Sequence, residues 1–305
     1  MEISNLPAIT VLTAAFVAGC EAREKPAGHQ TDQTRNSDNE SSARKGDETK
    51  MDGKGQFATV NGLKMYYEIH GAGRPLVLLH GAFGFATVYP SLAKDRQTIA
   101  VELQGHGHTA DRDRPLNFEQ MADDVAGLLE QLKVEQADFF GYSMGGNVGI
   151  AVAIRHPKLV RKLAINGSHA GRMADAYYPE AVTQFNSLPG DFAPPVLKGP
   201  YDKVAPDPTH WPTLVAKVKQ MGLDFKGFTH EELKGIKAQI LISLGDRDGV
   251  RVEHAVEMFR LIPNSQLAVF PNADHLALWL SPEKVLPTIA VFLEAPMPEP
   301  KEQSR

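Results

Sequence analysis

From Gln56 onward the chain alternates two apolar patterns. Short unbroken runs read as strands buried on both faces: "PLVLLHG" at 75–81, then "TIAVELQG", "ADFFGYS", "KLAINGS", "AQILISLGD" and "QLAVFPNAD". The segments between them carry helical spacing. "FEQMADDVAGLLEQL" puts Met121, Val125, Leu128, Leu129 and Leu132 on one face. "GGNVGIAVAIRHP" and "RVEHAVEMFRLIP" read as helices that end near a proline. "SPEKVLPTIAVFLEAP" reads as a last helix, with Ser281 as N-cap before Pro282. Ahead of them all, "FATVNGLKMYYEIHG" is two β-rich runs joined by Asn61-Gly62, a strong hairpin signal.

Strands alternating with helices predict an α/β fold: a mostly parallel central sheet with helices on both faces and an antiparallel hairpin at one edge. The loops at the carboxyl ends of such strands carry the chemistry. One stretch, 169–233, breaks the alternation. It holds no strand-like run and is rich in proline and aromatics, among them Tyr177, Tyr178, Phe185, Phe192, Tyr201, Trp211, Phe225 and Phe228. "THWPTLVAKVKQM" reads as a helix in it, and "THEEL" offers a Thr229–Glu232 capping box for another. The stretch is expected to be a helical cap inserted after the sixth strand; the alternative is a helical excursion packed at one sheet edge.

The N-terminal part is built differently. Residues 1–19 contain a short apolar segment, too short to span a bilayer comfortably but suited to a signal peptide. They lead to "VAGC", Val17 to Cys20, which resembles the lipobox of bacterial lipoproteins. That resemblance implies cleavage before Cys20 and lipid on its sulfur. The alternative is a buried helix with a core cysteine. Between Glu21 and Gly55 there is no Val, Ile, Leu, Phe, Tyr or Trp. Such a segment cannot offset its chain entropy by burial, so residues 20–55 are expected to be a disordered tether. The folded domain is then 56–296, followed by a tail at 297–305. The expected location is the bacterial cell envelope, on a membrane surface through lipidated Cys20.

Composition narrows the chemistry. The single cysteine rules out an intrachain disulfide and cysteine-rich zinc sites. The net charge is −5 and no basic stretch is interleaved with aromatics, so nucleic acid is not expected as a partner. His106 and His108 sit two apart, but the acid a metal site would want at 110 is Ala110. No metal and no cofactor are expected.

"GYSMG", Gly141 to Gly145, matches G-x-S-x-G. At ordinary glycine and serine usage this pattern arises by chance in about one chain in ten of this length, so context decides. Here it follows an apolar strand and opens a helix, as the sharp turn that exposes a nucleophilic serine requires. A serine hydroxyl needs a base, and the base an orienting acid, in the chain order serine, acid, histidine. Two later strand ends supply them: "GDRDG" and "ADHLAL", the second carrying His275.

With "HGAFG" after the third strand, "QGHGHT" after the fourth, "GYSMGG", "GDRD" after the seventh and "DH" after the eighth, the chain from 56 to 296 resembles the α/β-hydrolase superfamily. The resemblance implies Ser143 as nucleophile, His275 as general base and acid, and Asp248 as the orienting acid, with Asp246 the alternative. Asp274, next to His275 in sequence, is expected to point away from that ring. The resemblance also implies an oxyanion hole from the backbone N–H groups of Met144 and of Ala82, with Phe83 second to Ala82. His80 and His106 occupy positions that support loops.

The function expected is a serine hydrolase, cutting a small to medium hydrophobic ester or lactone through an acyl-enzyme. Carbon–carbon bond hydrolases and cofactor-free perhydrolases with the same three residues are the close alternatives. A non-catalytic ligand-binding receptor of the same fold is the distant one.

Overall fold

A computed structural model describes residues 55–297. Its strands are β1 (Gln56–Val60), β2 (Leu63–His70), β3 (Arg74–Leu79), β4 (Arg96–Val101), β5 (Ala137–Tyr142), β6 (Val160–Asn166), β7 (Gln239–Gly245) and β8 (Ser265–Phe270). They form one sheet in the order β1-β2-β4-β3-β5-β6-β7-β8. β1 and β2 pair antiparallel across Asn61-Gly62, and β2 pairs antiparallel with β4. All pairings from β4 through β8 are parallel.

Burial follows the apolar pattern. Every residue of β5 is buried, as are all but the first of β7. β1 and β8, at the two edges, are largely uncovered. The helices flanking the sheet are α1 (Pro90–Ala93), α2 (Phe118–Gln131), α3 (Met144–Arg155), α9 (Val252–Leu261), α10 (Ala277–Leu280) and α11 (Pro282–Glu294). The predicted face of α2 goes inward: Met121, Val125, Leu128 and Leu129 are buried, and Leu132 forms the C-cap. Ser281 does occupy the N-cap of α11, but its side chain makes no capping bond there.

Between β6 and β7 run α4 (Met173–Ala176), α5 (Pro179–Asn186), α6 (Pro195–Val204), α7 (Trp211–Asp224) and α8 (His230–Gly235), with a 3-10 turn at Pro208–His210. The Thr229–Glu232 capping box is present at the start of α8. The segment lies over the carboxyl ends of the strands. Phe83, in the loop after β3, packs its ring 5.9 Å from Phe192 and 5.4 Å from Trp211. Lys217 on α7 and His210 both bond the Asp111 carboxylate in the loop after β4, at 2.6 and 2.8 Å. It is therefore a cap, not an excursion at an edge.

The strand order fixes where the chemistry can sit. From β3 the chain steps to β4 on one side, then returns to β5 on the other. The loops after β3 and β5 diverge around this reversal and leave a crevice at their carboxyl ends. Ser143 follows β5 immediately.

Candidate active site

Ser143 takes φ +51 and ψ −120, a conformation costly for a residue with a Cβ, as the junction of β5 and α3. Its neighbours make the junction possible. A Cβ at Gly145 would overlap the Leu79 carbonyl, and one at Gly141 would overlap the backbone of Gly145 and Gly146. The turn is also held from outside. The Ser143 N–H donates to the Asn166 carbonyl at 2.8 Å, and the Ser168 hydroxyl donates to the Ser143 carbonyl at 2.9 Å.

Three side chains form one hydrogen-bonded line. His275 Nδ1 lies 2.9 Å from Asp248 Oδ1, and His275 Nε2 lies 3.0 Å from Ser143 Oγ. A carboxylate can only accept, so Nδ1 carries the proton, Nε2 is bare, and the Ser143 hydroxyl donates to it. Asp248 is almost wholly buried and its Oδ1 also receives the Val250 N–H at 3.0 Å. Burial works against a charged His275, but the Asp248 carboxylate, helped by Asp274, more than offsets it and lifts the imidazole above its ordinary 6.5.

The neighbouring acids serve other ends. Asp246 accepts the Ala273 N–H at 3.2 Å, and the amides of Asn272 and Ala273 hold its carboxyl below the usual range. Asp274 accepts the Leu276 N–H at 2.9 Å. Both brace the turn that carries His275, and it is Asp248 that meets the ring.

The expected backbone donors belong to the start of α3 and to the loop after β3. Gly146 and Asn147 spend their N–H groups on the Ser143 carbonyl, whereas Met144, at the first helical position, has no acceptor four residues back in its helix. Across from it, the Gly84 N–H closes a turn onto the Gly81 carbonyl at 3.0 Å, with Ala82 and Phe83 at the corner. This loop abuts the serine: a Cβ on Gly81 would be 3.4 Å from Ser143 Cβ. Phe83 takes φ +62 and buries its ring against the cap.

The other histidines named from the sequence hold loops. His80 donates from Nδ1 to the Gly81 carbonyl at 2.8 Å and accepts the Leu103 N–H at 3.1 Å, linking the loops after β3 and β4. His106 donates to the Gln104 carbonyl at 2.9 Å. Burial pushes them down to about 3 and about 4 respectively, so both stay neutral in mild acid. His108 stacks on Tyr66 at 4.0 Å and faces the buried Glu102, which also receives the Ala86 N–H at 3.2 Å.

Four contributors were not singled out from the sequence. The Tyr142 hydroxyl donates to the His275 carbonyl at 2.7 Å. Gly167 leaves room for the imidazole, since a Cβ there would come within 2.9 Å of His275 Nδ1. Ser168 braces the turn, and Asn147 Oδ1 accepts the His169 N–H at 3.2 Å. "GYS", "GGNVG" and "NGSHAG" contain all four, yet nothing local in those stretches marks them. Cys20, with the rest of 1–54, lies outside the described residues. Among the described residues no helix is long and apolar enough to cross a membrane.

The family model described as "Alpha/beta hydrolase family" matches residues 76–288. The chain is 38% identical over 122 residues to a 2-hydroxymuconate semialdehyde hydrolase of Pseudomonas sp. (strain CF600), which covers 37% of this chain and only 43% of that enzyme. It is 27% identical over 254 residues to a 2-hydroxy-6-oxo-2,4-heptadienoate hydrolase of Pseudomonas putida F1, covering 72% of this chain and 89% of the relative. Among solved structures, a 2-hydroxy-6-oxo-6-phenylhexa-2,4-dienoate hydrolase from Rhodococcus sp. strain RHA1 superposes with a TM-score of 0.67, at 19% identity, over 80% of this chain and 100% of that one. At that identity the likeness is one of fold.

Proposed function

Since the chain belongs to the alpha/beta hydrolase family, we propose that it is a serine hydrolase that cuts a small neutral ester or lactone through an acyl-enzyme. The observation that carries this is the line from Asp248 through His275 to the Ser143 hydroxyl, 2.9 and 3.0 Å long.

The steps follow from that line. Ser143 Oγ attacks the carbonyl carbon as its proton passes to His275 Nε2. The new imidazolium is held by Asp248, which stays ionised. The carbonyl oxygen becomes an oxyanion and is met by the N–H groups of Met144 and Ala82. The carbon–oxygen bond to the alcohol then breaks as His275 returns the proton to the departing oxygen. Water repeats the sequence on the acyl-enzyme: it loses a proton to His275, attacks, and releases the acid and free Ser143.

The charge around the base favours a neutral substrate. Asp248 and Asp274, both anionic, are the charged groups that raise His275. A second reading, cleavage of a carbon–carbon bond, is favoured by the two Pseudomonas relatives, whose names specify hydrolases of a muconate semialdehyde and a heptadienoate. Such carboxylates would want a cation in the site. Membrane attachment through lipid on Cys20 is a further proposal, resting on "VAGC" and the polar stretch behind it.

The test is turnover of p-nitrophenyl esters of rising acyl length, beside a dienoate carrying a carboxylate, each with native protein and with Ser143→Ala. Ester turnover that falls by several orders of magnitude in Ser143→Ala is expected. Turnover of the dienoate alone would replace this reading with the second.

A further inference from the structure

Beside the catalytic line, His169 and Tyr177 lie edge to face, with ring centroids 5.1 Å apart. His169 follows β6 on the same loop as Gly167 and Ser168. Its N–H is fixed to Asn147 on α3, and its ring packs edge-on against the Phe118–Phe225 pair at 6.4 and 5.7 Å. Tyr177 ends α4 and forms an isolated antiparallel bridge with Val250, two residues beyond Asp248. Each residue is thus anchored to a segment that carries or braces a catalytic group.

Their polar atoms are complementary and unused. His169 Nδ1 faces the Gly171 carbonyl at 2.7 Å, which can only accept, so the proton sits there and Nε2 is a bare acceptor. Neither that Nε2 nor the Tyr177 hydroxyl has a hydrogen-bond partner among the described residues. Nor is either sealed in: the fully enclosed, unpartnered side-chain atoms are His70 Nδ1, His106 Nε2, Asn147 Nδ2 and His254 Nδ1. Both atoms are therefore accessible, and a ligand or water can satisfy them.

We propose that His169 Nε2 and the Tyr177 hydroxyl form a neutral polar subsite that selects ester-type substrates bearing a hydroxyl or amide near the scissile carbonyl. Such a group donates to His169 and accepts from Tyr177. The inference rests on the serine-hydrolase reading above and narrows its substrate class.

Electrostatics agree with a neutral ligand. Burial, with repulsion from His254 and His275, holds His169 down at about 4, so its acceptor persists across the working range. Burial, together with Asp248, holds the Tyr177 hydroxyl protonated as a donor. A carboxylate placed here could accept from Tyr177 but has no proton to give His169 Nε2, whose lone pair would repel it.

The probes are p-nitrophenyl 3-hydroxybutyrate, p-nitrophenyl butyrate and mono-p-nitrophenyl succinate. In native protein kcat/KM should favour the hydroxyl-bearing ester over butyrate by about tenfold, the worth of a well-made net hydrogen bond, and disfavour the succinate. Tyr177→Phe removes only an oxygen without a protein partner and should cut the hydroxyl preference at least several-fold; His169→Phe, which keeps the aromatic packing, should do the same. A purely structural role would lower the three esters alike and leave their ratio in place. The same ratios are read as Kd in Ser143→Ala, where no turnover is needed. Absence of turnover in native protein would remove the serine-hydrolase reading, while the Kd ratios still decide the subsite. A ratio near one in native protein, or one that neither substitution moves, overturns the proposal.

Discussion

The Tyr142 hydroxyl donates to the backbone carbonyl of His275 at 2.7 Å. The residue immediately before the candidate nucleophile thus holds the loop that carries its candidate base, 133 positions further along the chain. Burial, reinforced by Asp248, keeps that phenol protonated and able to donate. Tyr142 also packs its ring against Trp279 at 5.8 Å, in α10 just after that loop. Ser143 and His275 are registered to each other through this one bond as well as through their own.

Tyr142→Phe should therefore act on rate and stability together. It leaves the ring in place and strips a part-buried carbonyl of its donor, a loss of about 1–2 kcal/mol. Ester turnover should fall by about tenfold, since a His275 loop free to shift by a fraction of an ångström spoils the alignment with Ser143. Turnover and thermal midpoint are measured on the same preparation. Native values for both would show that the loop needs no such tie.

The two acids of "GDRD" are separable by substitution. Asp248→Asn keeps the shape but cannot hold the Nδ1–H tautomer or steady an imidazolium, and should cost on the order of 10³–10⁴ in kcat. Asp246→Asn alters an acceptor that caps the Ala273 N–H at 3.2 Å and should cost under about tenfold in rate. A larger loss from Asp246→Asn would reassign the acid.

How far these features were legible depends on where their causes lie in the chain. Strands β3 to β7 stand out because burial on both faces demands unbroken apolar runs, and such runs are local. The turn at Ser143 is legible for the same reason: Gly141 and Gly145 are required within four residues of each other. α1 and α10 escaped notice, as four residues are too few to show a period. Ser281 illustrates another limit. The N-cap position is readable, but Ser281 is also the C-cap of α10, and at φ −149 and ψ 55 its hydroxyl makes no capping bond. Tyr142, Asn147 and Ser168 were invisible as contributors because each acts on a residue that only the fold brings near. Tyr177 was read among aromatics packed in the cap; its bridge to Val250 places it beside the acid instead.

Expression of the full sequence in a bacterium should place the protein in the membrane fraction, and Cys20→Ala should release it. Several acyl chains on one cysteine anchor firmly where a single chain would not. A protein beginning near Gly55 should be soluble and equally active per molecule, because the described residues contain the whole hydrogen-bonded line. Native protein and Cys20→Ala both found in the soluble fraction would remove the anchor.

The pH dependence should single out one histidine. His275 must be neutral to accept the Ser143 proton, and its pKa lies above 6.5 because Asp248 more than offsets the effect of burial. The rate should therefore rise with pH through a midpoint above about 6.5. In Asp248→Asn the favourable charge is gone while burial remains, so the midpoint of the residual rate should move to lower pH. Stability runs the other way for this group. A histidine whose folded pKa is raised contributes stability that is complete below its unfolded value and is lost as pH climbs through the folded one. His80, His106 and His169 carry the opposite sign. Their folded pKa values, at about 3, 4 and 4, lie below the unfolded value, so the stability they contribute is present above pH 6.5 and is lost as pH falls from there. Between about pH 5 and 6.5 the protein should thus lose thermal midpoint through these histidines, joined by His254, which burial also lowers, and lose rate through His275. Asp248→Asn should shift the rate profile and leave the acid side of the stability profile nearly in place. Were both profiles to move together, the rate would be reporting unfolding, and His275 would not be the base.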